Sequence, residues 1–152
     1  MKTFILVAAA RPNFMKVAPL VRALEKHNRS IGSKKERVRY VLVHTGQHYD
    51  DNMSSVFFRD LELPEPDINL NIGSNSHGKQ TGQMLSGIEE VLLQENPDWV
   101  LVYGGTNSTL AGSLAAVKLC NITTYYVNGV PKSWVESLYK FQRRVDKNEC
   151  IG

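Results

Sequence analysis

The chain has 152 residues, 42% of them apolar and 22% charged, with a formal net charge of +3. Those proportions suit one globular domain with a real core, and they lack the strongly basic balance of a nucleic-acid binder. Two distant cysteines, Cys120 and Cys150, and four scattered histidines, His27, His44, His48 and His77, give no disulfide framework and no zinc-ligand spacing, so no metal and no cofactor are expected.

Residues 3 to 9 are apolar without alternation, as in a strand covered on both faces. With Lys2 in front and Ala8-Ala9-Ala10 behind, the run has the outline of a secretory leader. It is at the short limit for one, and cleavage after Ala10 would remove the first strand of a regular α/β pattern, so a cytoplasmic chain is expected. Phe14, Val17, Ala18, Val21 and Leu24 then recur at helical spacing, with Asn13 as the expected cap and Pro19 expected to kink the helix or delay its regular start. Residues 28 to 35 read as a loop and 38 to 43 as the second strand. A polar loop follows, His44-Thr45-Gly46-Gln47-His48-Tyr49-Asp50-Asp51. Residues 52 to 60 predict a short helix with Val56, Phe57 and Phe58 facing the core, and Ile68, Leu70 and Ile72 predict a short edge strand.

After a Ser/Asn/Gly loop over residues 73 to 78, Met84, Ile88, Val91 and Leu92 mark one face of a helix that ends before Pro97. Residues 99 to 103 read as a buried strand, 104 to 109 as a Gly-containing turn, 108 to 119 as an Ala-rich helix and 122 to 127 as the last strand. Alternating strands and helices imply a parallel α/β sheet with helices on both faces, a Rossmann-like arrangement. The domain is expected to span residues 1–130. Residues 131–152 form a divergent charged tail in which Trp134, Leu138 and Phe141 could mark one amphipathic helix. No run reaches the length of a membrane span, and no membrane contact is expected.

Two strand-to-helix turns carry the candidate chemistry. The first holds Arg11 and, five residues on, Lys16; it is either a solvated connection or an anion site at the carboxyl end of the sheet. The second, Gly104-Gly105-Thr106-Asn107-Ser108-Thr109, offers backbone N–H groups, hydroxyls and an amide suited to phosphate or sugar. It matches neither GxGxxG nor a P-loop, the signal is weak alone, and a capped helix start is the commoner explanation for Ser and Thr there. Gln47 and His48 could hydrogen-bond a sugar or base, although a loop histidine is more often simply solvated.

Taken together, Ala10-Arg11-Pro12-Asn13-Phe14-Met15-Lys16-Val17-Ala18-Pro19-Leu20, Thr45-Gly46-Gln47-His48-Tyr49-Asp50 and Thr106-Asn107-Ser108-Thr109-Leu110 closely resemble the non-hydrolysing UDP-N-acetylglucosamine 2-epimerases. The resemblance runs to about Val127 and covers the N-terminal domain only. It implies one half of a glycosyltransferase-B architecture, in which two Rossmann-like domains face a cleft. The family interconverts UDP-N-acetylglucosamine and UDP-N-acetylmannosamine by eliminating UDP and adding it back after protonation on the other face. By resemblance, Arg11 faces the diphosphate, Lys16 is the catalytic-cleft residue, and Gln47, His48, Thr106, Asn107 and Ser108 contact the UDP-sugar.

The chain departs from the pattern at its acids. The family's Gly-Asp turn is here Gly104-Gly105, and its His-Val-Glu-Ala-Gly falls on Tyr126-Val127-Asn128-Gly129-Val130, so the Glu has become Asn128. In an ungapped continuation, a Pro-Glu-Glu-x-Asn-Arg segment places Lys140 at its first Glu and Arg144 at its Arg. Three readings stay open: an epimerase domain inactive alone, a non-catalytic nucleotide-sugar or anion-binding module, and a frameshifted, degenerate fragment. An open strand-end face implies self-association or a separate chain supplying the second domain.

Overall fold

The computed structural model describes residues 1–46, 51–104, 106–119 and 123–127. The elements are β1 (Lys2–Ala8), α1 (Arg11–Ser30), a 3-10 turn (Lys34–Glu36), β2 (Val38–His44), α2 (Asp51–Asp60), β3 (Ile68–Asn69), α3 (His77–Glu95), β4 (Trp99–Tyr103), α4 (Asn107–Lys118) and β5 (Thr123–Val127). The strands form one sheet in the order β3-β2-β1-β4-β5, and every pairing is parallel.

Burial on both faces explains the unbroken apolar runs of β1 and β4. On one face Phe4, Leu6, Leu42, Trp99 and Leu101 pack with Phe14, Val17, Val21 and Leu24 of α1 and Phe58 of α2. On the other, Ile5, Val7, Val41, Val100 and Val102 meet Met84, Ile88 and Leu92 of α3 and Ala111, Ala115 and Ala116 of α4. Small residues let α4 lie close to the strands: a Cβ on Gly112 would stand 3.0 Å from Val102 Cγ1. The parallel α/β expectation is met, with helices on both faces.

Several local expectations are corrected. Asn13 is not the N-cap of α1, which begins at Arg11 with Ala10 in the cap position. Pro19 does not delay α1, which runs on through it to Ser30. The carbonyl that Pro19 cannot serve belongs to Met15, an exposed residue where water can replace the lost donor. Val56 is 44% exposed rather than core-facing, whereas Phe58 is buried and Phe57 packs against the core. The loop proposed from His44 is shorter at both ends, because His44 closes β2 and Asp51 opens α2. Edge strand β3 is only Ile68–Asn69: Asn71 turns left-handed at φ 52° and breaks the regular ladder, although the Ile72 N–H beyond it still donates to the Thr45 carbonyl. Helices α3 and α4 start at His77 and Asn107, slightly ahead of expectation. The tail proposed over residues 131–152, with Lys140 and Arg144, lies outside the described residues, as do both cysteines and Ile122. Among the described residues no helix is long and apolar enough to cross a membrane, and no His, Cys, Asp and Glu group could hold a metal ion.

Candidate functional site

Strand order locates a crevice. β1 and β4 are neighbours, yet β1 leads through α1 to β2 on one side while β4 leads through α4 to β5 on the other. Helix α1 packs on one face of the sheet and α4 on the opposite face. The chain therefore leaves two adjacent strand ends in opposite directions. In open α/β sheets such a reversal opens a crevice at the carboxyl ends, where ligands bind.

One buried side chain spans this crevice. Asn13 Oδ1 accepts from the N–H groups of Ala9 and Ala10, both at 3.1 Å, and its Nδ2 donates to the carbonyl of Tyr103 at 2.9 Å. The same carbonyl accepts from Thr109 Oγ1 at 2.9 Å. Gly104 follows at φ +70°, and a Cβ there would meet Asn13 Nδ2 at 3.3 Å, so the turn needs glycine for both conformation and space.

The second turn is ordered by its own hydroxyls. Thr106 caps α4, its Oγ1 accepting from the Thr109 N–H and lying 2.8 Å from Ser108 Oγ. Ser108 is buried. Asn107 is turned toward α3: its Nδ2 donates to Gln80 Oε1 at 2.7 Å and lies 3.1 Å from His77 Nδ1. Gln80 in turn donates to the carbonyl of Gly73 at 3.0 Å, which fastens the loop before α3.

The charge arrangement favours an anion. None of α1, α3 and α4 has an acidic residue in its first turn, although carboxylates there would suit the positive end of the helix dipole. Helix α1 instead begins with Arg11, a cation at the end where cations are disfavoured by about 0.3–1 kcal/mol. Its guanidinium lies 5.4 Å from the centroid of the Phe57 ring, a cation–π contact that holds the exposed group beside the crevice. Lys16 follows on the second turn of α1 and is half-buried.

At the neighbouring strand end, His44 is buried, its ring stacked on Phe14 at 5.1 Å between centroids, and its Nδ1 accepts from the Gly46 N–H at 2.7 Å. Burial pushes the His44 pKa below its ordinary value of 6.5. The unfolded chain therefore takes up a proton near pH 6.5 that the folded chain resists. Stability is expected to be flat above about pH 7 and to fall as the pH drops below 6.5. Urea melts from pH 8 to pH 5 check this: His44→Asn, which keeps an acceptor near the Gly46 N–H but cannot titrate, should remove most of that slope. An unchanged slope would show that other groups cause it.

The structure thus brings Arg11, Lys16, Thr106, Asn107 and Ser108 to the strand-end side of the sheet, on α1 and at the start of α4. Gln47, His48, Gly105 and Asn128 lie outside the described residues, directly after or between elements that end at this edge. Asn13, expected from the sequence only as a helix cap, instead joins the two turns, Gln80 and His77 hold Asn107, and His44 lies at the neighbouring strand end; none of the four was named as a site residue from the sequence. For Asn13 a signal existed: a polar residue three positions after the strand-to-helix corner, on the side of α1 marked by Phe14 and Val17.

Comparison with known proteins agrees with this geometry. The family model for UDP-N-acetylglucosamine 2-epimerase matches residues 31–129. A UDP-N-acetylglucosamine 2-epimerase homolog from Methanococcus maripaludis is 49% identical over 130 residues, covering 86% of this chain and 33% of the relative. The UDP-2,3-diacetamido-2,3-dideoxy-D-glucuronate 2-epimerase of Pseudomonas aeruginosa is 47% identical over 113 residues, covering 74% of this chain and 30% of the relative. The crystal structure of Methanocaldococcus jannaschii UDP-GlcNAc 2-epimerase in complex with UDP-GlcNAc and UDP superposes with a TM-score of 0.72 at 44% identity, over 90% of this chain and 35% of that one. The chain spans about a third of the length of these relatives. With a family model matching residues 31–129 and a fold shared over 90% of its length, the chain belongs to the UDP-N-acetylglucosamine 2-epimerase family.

Proposed function

We propose that this chain forms one wall of a UDP-sugar cleft, binds the nucleotide sugar through its diphosphate, and as the 152-residue polypeptide performs no epimerisation by itself. The observation that supports binding is the switch-point crevice, flanked by the cationic start of α1 and the hydroxyl-capped start of α4. A diphosphate there meets backbone N–H groups, the Arg11 guanidinium and the Lys16 ammonium. Thr106 and Asn107, with Gln47 and His48, complete the contacts to the sugar nucleotide, and the buried Ser108 orders the turn beneath them. The structure from Methanocaldococcus jannaschii holds UDP-GlcNAc and UDP, which sets the ligand class to test here. Relatives of nearly equal identity carry the names of different UDP-sugar 2-epimerases, so the sugar itself is left open to N-acetylglucosamine and its diacetamido-uronate analogue.

Inactivity follows from proton chemistry. Elimination and re-addition across C2 need a base and an acid, and the positions expected to hold carboxylates carry Gly105 and Asn128. An amide neither takes nor gives a proton near neutral pH, and each lost acid–base group costs about 10²–10⁴-fold in rate. Lys16 alone cannot serve both faces of C2. In this reading residues 1–130 are the binding domain, residues 131–152 a divergent tail, and the chain acts in the cytoplasm, where a second chain could supply the opposite wall.

Proton NMR of UDP-N-acetylglucosamine with the purified protein in deuterated water tests both halves. We expect no deuterium entry and no epimerisation at C2, together with saturable binding of UDP at roughly millimolar affinity or better. Exchange at C2 would overturn inactivity. Lack of saturation well beyond that range would overturn binding and favour the decayed-fragment reading.

A further inference from the structure

We propose that Asn13 is a positioning residue that locks the two turns of the crevice into one ligand-facing unit, so that Arg11 on the first turn and the α4 start on the second act on the same UDP moiety; this rests on the binding reading above. The side chain is 3% exposed and uses three hydrogen-bonding positions at once. Its oxygen holds the last bend before α1, through Ala9 and Ala10, and its nitrogen holds the carbonyl of Tyr103, ninety positions away in sequence. Among the residue pairs described, it is the side chain that ties the β1–α1 turn to the β4–α4 turn. Backbone ladders fix β1 against β4 only as far as the Val7 and Val102 pair, so both turns extend beyond the ladder. Gly104 leaves the space that the amide nitrogen needs, at 3.3 Å from where a Cβ would sit.

The two halves of the amide do separate jobs, and a carboxylate keeps only one of them. An aspartate at this position still accepts from Ala9 and Ala10 but cannot donate to Tyr103 while ionised. In the full 152-residue chain, Asn13→Asp is therefore expected to leave the amide resonances of Ala9, Ala10 and Arg11 near their original places. It should shift those of Gly104 and residues 106–109, and weaken UDP binding about ten-fold at a temperature well below either protein's melting point. Shifts confined to residues 9–14, or an unchanged UDP affinity alongside a wild-type chain that binds, would overturn the proposal. A wild-type chain that binds no UDP overturns the functional reading, and the shift pattern still decides whether the turns are coupled. Should the variant not fold, hydrogen exchange of the side-chain amides in the wild-type protein replaces it. The Asn13 Nδ2 protons are expected to exchange at least about ten-fold more slowly than those of exposed Asn75, and equal rates would overturn the link.

Discussion

Alanine at position 46 is expected to lower folding stability by about 2–4 kcal/mol. Gly46 has φ +93°, a left-handed conformation that costs an L-residue with a Cβ roughly 1–2 kcal/mol. Space adds to that strain. The new Cβ would stand 2.6 Å from the backbone nitrogen of Ile72 and 3.0 Å from the backbone of Asn71. These are main-chain atoms, so no side chain can rotate out of the way. The Ile72 N–H donates to the Thr45 carbonyl at 3.0 Å, and Leu70 donates to His44 at 2.9 Å. Relief of the clash must open one of those bonds and loosen β3 from β2. In a chain of this size the melting temperature should drop by roughly 5–15 °C. Gly32 is the control, with nothing within 4 Å of its would-be Cβ and no positive φ. Gly32→Ala should stay within about 0.5 kcal/mol of wild type. Equal melting of the two variants would refute the account.

That contrast marks what a sequence can and cannot convey. Elements whose side chains follow one period were legible: the unbroken run of β1, the Met84, Ile88, Val91 and Leu92 face of α3, and the Phe14 to Leu24 face of α1 are all buried as their spacing requires. The α/β class follows from their alternation. Val56 was misread because a stretch of three apolar residues cannot all face one side of a helix, and Phe57 and Phe58 took the core. The two cationic residues of the first turn were legible by type. Their purpose depends on which strand lies beside β1, and adjacency of β1 and β4 is a property of the sheet rather than of either segment. Asn13 and Gly46 illustrate the same point. Asn13 looked like a local cap, and its partner Tyr103 is visible only when the strands are side by side. Gly46 looked like one more loop glycine until the Ile72 backbone was placed against it.

Leu101→Ala is expected to have the largest effect of any single truncation discussed, about 3–5 kcal/mol. Leu101 has no exposed surface and sits mid-strand in β4, the strand between β1 and β5. It pairs in register with Leu6 on one side and Tyr125 on the other. Two parallel ladders hold its backbone, so the sheet cannot sink to fill the void, and a void that stays open adds its own cost to the lost burial. Against a typical total of about 5–15 kcal/mol, this variant should populate unfolded chain at modest urea. The expected signature is a lower urea midpoint with an unchanged slope, since the surface exposed on unfolding is nearly the same. Leu110, 60% exposed on α4, supplies the comparison, and Leu110→Ala should change stability by less than about 0.5 kcal/mol. The two variants also separate stability from site geometry. Leu101 lies two residues inside the Tyr103 carbonyl that Asn13 engages, and its side chain packs toward α1 below the crevice rather than into it. At low temperature without urea, the folded fraction of Leu101→Ala should therefore bind UDP as the parent chain does, whereas Asn13→Asp should not. Parallel loss of affinity in both would mean that the crevice depends on overall stability and that its two turns are not held by a dedicated link.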